Sequence, residues 1–164
     1  MTLQFTTSIA QGKPGERIFL EDFLIFLGIK YKDVTGCQQF QVIDTDFITN
    51  IGKYEIKTSY KDNKEIIIED FTNINSNLGR ISYGWISKTK ADLIVFVSKK
   101  TRAMVFLPFT ERFKRFYHNN KDRWELKRNR VTEHRGRKWQ SAFRVVPFDG
   151  IRGFVSVYKK IGST

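Results

Sequence analysis

The sequence predicts a single α/β domain, a meander of several strands lying behind one amphipathic helix. Three observations carry that expectation. At 164 residues, 40% hydrophobic and 15% aromatic, the chain can fill one core of ordinary size and is too short for two independent ones. Residues 14–28, PGERIFLEDFLIFLG, place apolar side chains at Ile18, Phe19, Phe23, Leu24, Phe26 and Leu27, close to helical spacing. Downstream, apolar runs at 39–48, 53–60, 65–71, 92–98 and 103–109 have the length of strands and are separated by turn signals.

Met1 to Lys13 is polar with scattered apolar residues and reads as a short strand or irregular lead-in without a motif. The helix follows, with Pro14 at a plausible first position and Gly28 at its end. Glu16 lies in its first turn, where the helix dipole favours an anion; capping and a functional role are both open for it. Glu21 and Asp22 are expected to face solvent. Gln39 to Ile48 reads as a strand of rough apolar–polar alternation, Asn50-Ile51-Gly52 as a turn, Lys53 to Tyr60 as the next strand, and 61–64 as a second turn.

Glu65 to Phe71, EIIIEDF, is apolar enough for a central strand. Glu69 is its exception, because a carboxylate closing a buried β-branched run costs several kcal/mol unless it is exposed, paired or metal-bound. Thr72 to Tyr83 is rich in Asn, Ser and Gly and reads as a loop that orders on ligand binding. GWISKTKA then leads into Asp92 to Ser98, DLIVFVS, a strand covered on both faces. A turn at 99–102 precedes a strand at Ala103 to Phe109; Glu111 to His118 forms a short basic-aromatic helix, and Gln140 to Lys159 a terminal hairpin turned at 147–153.

Charge is unevenly placed. Residues 1–98 carry 11 Lys+Arg against 12 Asp+Glu, whereas residues 99–164 carry 18 against 5, within an overall +12. Such asymmetry points to a polyanionic partner, of which nucleic acid is the commonest. Residues 112–138 alone hold 11 Lys+Arg and 3 acids: Arg112, Lys114, Arg115, Lys121, Arg123, Lys127, Arg128, Arg130, Arg135, Arg137 and Lys138. Phe113, Phe116, Trp124 and Trp139 flank or interleave with them, supplying rings that pack or stack beside phosphate contacts. The competing reading is a solvated basic face whose aromatics belong to the core.

Several classes are excluded. No stretch approaches the roughly 20 apolar residues that span a bilayer, so no membrane partner is expected. Met1 to Ala10 lacks the basic start and apolar segment of a secretory signal, and a cytoplasmic protein is expected. The single cysteine, Cys37, rules out an intramolecular disulfide and a multi-cysteine zinc site, and only His118 and His134 remain for a transition metal.

The stretch that could carry chemistry is Gln41 to Lys57, QVIDTDFITNIGKYEIK. Taken as a hairpin, it sets Asp44 and Asp46 on one strand and Glu55 and Lys57 on the next. Side chains two apart share a strand face, so Glu55 and Lys57 point one way and Ile56 the other. Carboxylates and an ammonium around one point suit a hard cation and its bound water.

Taken together, Gly15-Glu16 opening a helix, Asp44 and Asp46, Glu55-Ile56-Lys57 on the next strand, Glu69 on a third and Thr89-Lys90-Ala91-Asp92 before a fourth resemble the PD-(D/E)xK nuclease superfamily, in particular its small phage-type or mobile-element members. The matching segments span residues 15–98, about half of the chain. The proline of the family pattern precedes neither aspartate. The resemblance implies a restriction-endonuclease-like core at about 14–110, a mixed central sheet with the N-terminal helix packed on it, and a basic C-terminal extension at about 111–164. It further implies Mg²⁺, or Mn²⁺ in its place, held by Glu55 and Asp46, with Asp44 the close competitor. Lys57 then positions the attacking water, Glu16 completes the site, and Glu69 and Lys90 are auxiliary. The activity implied is metal-assisted hydrolysis of DNA phosphodiesters, with a homodimer expected if both strands are cut. Two rival readings stand beside it: a non-catalytic nucleic-acid-binding module on the same fold, and a structural protein whose basic surface meets an acidic partner.

Overall fold

The computed structural model describes residues 14–59 and 64–160; the expectation for Met1 to Lys13 and nearly all of the turn at 61–64 lie outside them. The architecture is α/β. One sheet has six strands: β1 (Tyr31–Asp33), β2 (Phe47–Thr49), β3 (Gly52–Ser59), β6 (Leu93–Ser98), β7 (Met104–Pro108) and β12 (Ser156–Tyr158), in that spatial order. Only β3 and β6 run parallel within it, Glu55 standing opposite Ile94 and Lys57 opposite Phe96, so the sheet is mixed. The second sheet has the order β5 (Ser82–Tyr83), β4 (Glu65–Asn73), β11 (Ala142–Pro147), β8 (Leu126–Arg128). A separate two-stranded ribbon joins β9 (Thr132–His134) to β10 (Arg137–Trp139).

Alternation along the central strands creates two cores. On β6, Val95 and Val97 face one side with Met104 and Phe106 of β7, while Ile94 and Phe96 face the other with Val105 and Leu107. The first side is covered by the N-terminal helix α1 (Pro14–Phe19) and the π-helical turn that continues it, Leu20–Ile25. Ile18, Phe19, Leu20 and Leu24 pack there on Tyr54 and Ile56 of β3. The second side meets Ile66 and Ile68 of β4, Val146 of β11, and Phe113 and Tyr117 of helix α4 (Glu111–Asn120). The continuous apolar run LIVFV is therefore buried on both faces, as the sequence predicts. Thr110 caps α4, its hydroxyl accepting from Phe113 N–H at 3.2 Å.

Four expectations are corrected. Gln39 to Ile48 is not one strand, since only Phe47 and Ile48 at its end lie in β2: Gln38–Gln41 forms a helical turn, α2, and Thr45 N–H donates to Phe40 O at 3.1 Å, which leaves Val42 on the surface. The C-terminal hairpin does not form, because β11 pairs with β4 and β8 whereas β12 pairs with β7 in the other sheet. Two 3₁₀ turns, Phe148–Gly150 and Arg152–Phe154, flank the buried Ile151 and carry the chain across. Within Thr72 to Tyr83, expected as loop, lie a 3₁₀ turn at Ser76–Leu78 and strand β5. Finally, Asp22 is buried, with Arg102 Nε donating to its carboxylate at 2.6 Å; Glu21, partly exposed, accepts from Arg17 and Arg102.

Candidate functional site

Glu55 and Lys57 sit on the face of β3 opposite to Tyr54 and Ile56. They therefore point away from α1, into the layer between the two sheets. Glu55 is 4% exposed and accepts a short hydrogen bond from Lys57 Nζ. Burial pushes its carboxyl up to about 7; Lys57 pulls against this, and the charges of Asp46 and Asp44 add to the push. The Lys57 ammonium also stands 5.6 Å from the centre of the Trp85 ring.

Asp44 and Asp46 reach this place from a turn rather than a strand, since β2 begins only at Phe47. Asp44 has φ +46°, a left-handed conformation that Asp tolerates better than most residues. Its carbonyl accepts from Thr89 Oγ1 at 2.9 Å, and Ile43 O accepts from Lys90 N–H at 2.9 Å, so the Thr89-Lys90 segment fixes the turn. Asp46 is tied to β3: its N–H donates to Tyr54 O at 2.8 Å and its Oδ2 accepts from Ile56 N–H at 2.8 Å. Asp44 differs in that its Oδ2 is buried without a hydrogen-bond partner, an arrangement that costs roughly 1–3 kcal/mol or more.

Glu69 comes from the other sheet. Helix α3 (Trp85–Lys88) packs against β4 through Gly84, where a Cβ would lie 2.1 Å from Glu69 O, so only glycine fits. Burial raises the Glu69 carboxyl, Asp44 adds to that rise, and Lys57, Lys88 and the Trp85 N–H draw it back. Asp44 is thus felt by both Glu55 and Glu69, and Lys57 is the cation common to those two. Lys57, Thr58, Ile67, Glu69, Trp85 and Phe96 line an open cavity of about 270 Å³.

The remaining expected residues are placed as follows. Glu16 is buried in α1, whose approach to β3 is made by Gly15: its N–H donates to Thr58 Oγ1 at 3.1 Å, and a Cβ there would lie 2.5 Å from that oxygen. The helix carrying Glu16 covers the Ile56 face of β3, opposite to that of Glu55 and Lys57. Lys90 is exposed and lines a second cavity, of about 300 Å³, together with Lys114, His118 and Lys121. Arg112, Arg115, Arg123, Lys127, Arg128, Arg130, Arg135, Arg137 and Lys138 are all exposed, and Lys114 and Lys121 partly so; none is spent on the core.

Sequence reasoning passed over Lys88, whose Nζ donates to Thr72 Oγ1 at 3.3 Å, and Trp85, which wedges beside Lys57. It also missed the arginine that is buried. Arg144 Nε donates to Asp70 Oδ2 at 2.7 Å, Tyr117 Oη donates to Asp70 Oδ1 at 2.7 Å, and Arg144 Nη1 donates to the carbonyls of Lys121 and Trp124. Burial and the Asp70 charge raise the Tyr117 phenol well above its usual range. That network ties β4, β11 and α4 together and explains why an Asp and an Arg are buried between the strands.

The donor chemistry at Glu55, Asp44, Asp46 and Glu69 is all oxygen, as a hard cation requires, and the unpartnered Asp44 Oδ2 supplies an unused acceptor. Among the described residues, however, no three His, Cys, Asp or Glu side chains already stand close enough to share an ion; Glu55 is engaged by Lys57 instead. No helix among the described residues is long and apolar enough to cross a membrane. No protein-family model, curated protein or solved structure matches this chain.

Proposed function

We propose that the chain is a Mg²⁺-dependent endonuclease of PD-(D/E)xK type acting on DNA, with its site at Glu55, Lys57, Asp44 and Asp46 and with Glu69 at the cavity wall. The observation that carries this reading is the buried, unpartnered Asp44 Oδ2 beside a Glu55 carboxyl lifted to about 7. Carboxylates brought together around one lysine are costly to the fold, and a divalent cation relieves that cost. Glu55 and Asp44 would hold the ion, with Asp46 oriented by the Ile56 N–H. This moves the weight from Asp46, the first choice on resemblance, toward Asp44. When bound, Mg²⁺ supplies an acidified water and offsets charge on the leaving oxygen. Lys57 releases Glu55 and turns its ammonium to the water or the scissile phosphate. Glu55 would hold the ion as a carboxylate, and the Lys88 charge opposes the rise that burial imposes on the Glu69 carboxyl. The exposed cations of residues 112–138 bear the phosphate backbone, and no membrane enters the scheme.

One observation favours the non-catalytic alternative: the Lys57–Glu55 pair closes the cluster, and no ready-made ion site exists among the described residues. Incubating the protein with plasmid, a branched DNA and RNA in Mg²⁺ or Mn²⁺ separates the two readings. Cleavage of DNA lost in Glu55→Ala with DNA binding retained supports the enzyme; tight, salt-sensitive binding without turnover under either metal supports the binding module.

A further inference from the structure

The ribbon of β9 and β10 has no role in the fold that its residues explain. Its strands pair only with each other among the described residues, with Arg137 opposite His134 and Trp139 opposite Thr132. Arg135 (φ +50°) and Gly136 (φ +74°) give the two consecutive left-handed residues that a tight I′ hairpin turn needs. Residues 128–138 hold Arg128, Arg130, Arg135, Arg137 and Lys138 against one acid, Glu133. Lys138 and Glu133 pair with each other at 3.3 Å on one face, whereas Arg130, Arg135 and Arg137 are exposed and without an ion pair among the described residues. A short apolar-poor hairpin that keeps three unpaired arginines in water is built to meet an anion.

Its base, by contrast, is firmly held. Asn129 N–H donates to Ser141 O at 2.9 Å and Asn129 Nδ2 to Ser141 Oγ at 2.7 Å; Gln140 Nε2 donates to Asn129 O at 2.9 Å. Gln140 is locked in turn to the end of β4, its N–H donating to Asn73 Oδ1 at 3.1 Å and its carbonyl accepting from Ile74 N–H at 2.9 Å. The ribbon therefore rises between β8 and β11, and its base is hydrogen-bonded to the end of β4, the strand that carries Glu69.

We propose that this ribbon enters the major groove of the same DNA duplex whose phosphodiester is held at Glu55 and Lys57, with Arg130, Arg135 and Arg137 as its contacts. The inference rests on the nuclease reading for where the phosphodiester lies, and it names the substrate that reading leaves open. The B-form major groove, about 12 Å wide, admits a two-stranded ribbon, whereas the deep, narrow groove of A-form RNA does not. Single-stranded DNA offers no groove.

The test uses the full chain in EDTA, so that binding is read without turnover, on a 20-base-pair DNA duplex, its single strand and the same duplex as RNA. The triple variant Arg130→Ala/Arg135→Ala/Arg137→Ala should weaken duplex DNA binding by 10- to 1000-fold and lower the salt slope by about 3, while changing single-strand and RNA binding several-fold less. Dimethyl sulfate protection of guanine N7, which lies in the major groove, should appear with the parent protein and vanish with the variant. Equal losses on all three nucleic acids, no loss on any, or an absence of guanine protection would each overturn the proposal. A circular dichroism melt of the variant within a few degrees of the parent shows that its fold is kept, and Lys138→Ala, which removes only the paired cation, gives a milder second variant expected to lower the slope by less than 1. Groove protection without cleavage in Mg²⁺ would leave the ribbon assignment standing and remove the nuclease.

Discussion

Replacing Glu55 by glutamine keeps the shape of the side chain and removes its titration. In the folded protein the Glu55 carboxyl sits at about 7, against an ordinary value of 4.5. The difference corresponds to about 3 kcal/mol, at 1.36 kcal/mol per pH unit. The sign follows from proton binding: between pH 4.5 and 7 the native state holds the proton and the unfolded chain does not. The contribution is fully present below pH 4.5 and is lost as pH rises through 7. The parent should therefore lose up to about 3 kcal/mol relative to Glu55→Gln between pH 4.5 and 8, read by urea unfolding in EDTA. Burial is the largest cause, and Lys57 already opposes it, so the figure is a ceiling. Adding Mg²⁺ at pH 8 should return stability to the parent and not to the variant. A parent–variant difference that is flat with pH would refute the assignment of a buried, lifted carboxyl.

Other outcomes follow from the same geometry. Asp46→Ala strands the Ile56 N–H that Asp46 Oδ2 accepts at 2.8 Å and should cost about 1–3 kcal/mol in thermal unfolding; Asp44→Asn, which removes the buried, unpartnered carboxylate and keeps a residue that tolerates the left-handed backbone, should leave stability unchanged or raised while abolishing cleavage. Gly84→Ala forces a methyl to within 2.1 Å of Glu69 O and should destabilise by more than about 2 kcal/mol, visible as a lowered urea midpoint. Asp70→Ala leaves Arg144 buried without its carboxylate and should cost about 3–5 kcal/mol, whereas the exposed pair Arg152–Asp149 should tolerate alanine within about 0.5 kcal/mol.

Physical reasons separate what was legible from what was not. Glu55-Ile56-Lys57 was readable because period-two alternation is local, and LIVFV because a strand buried on both faces needs an unbroken apolar run. The helix from Pro14 to Gly28 was readable by its spacing, although its second half is π-helical. The stretch around Phe40 and Val42 misled because four or five residues satisfy a strand and a helical turn equally well, and here the turn wins through local hydrogen bonds that end in Asp44's left-handed backbone. Nothing local distinguishes a C-terminal hairpin from two strands sent to different sheets; the buried Ile151 between two 3₁₀ turns decides it. Asp70, Tyr117 and Arg144 were illegible for a similar reason, since their sense lies in pairing across 47 and 74 residues of sequence. The mixed sheet with a helix packed on it was expected and is present.

The most direct measurement is single-turnover cleavage of supercoiled plasmid in Mg²⁺ by the parent and by Lys57→Ala, on preparations whose DNA dissociation constants are measured in EDTA. The account expects metal-dependent nicking by the parent, at least a 100-fold slower rate for Lys57→Ala, and dissociation constants within twofold of each other. Equal cleavage by both proteins, or none by the parent under Mg²⁺ or Mn²⁺, would contradict it.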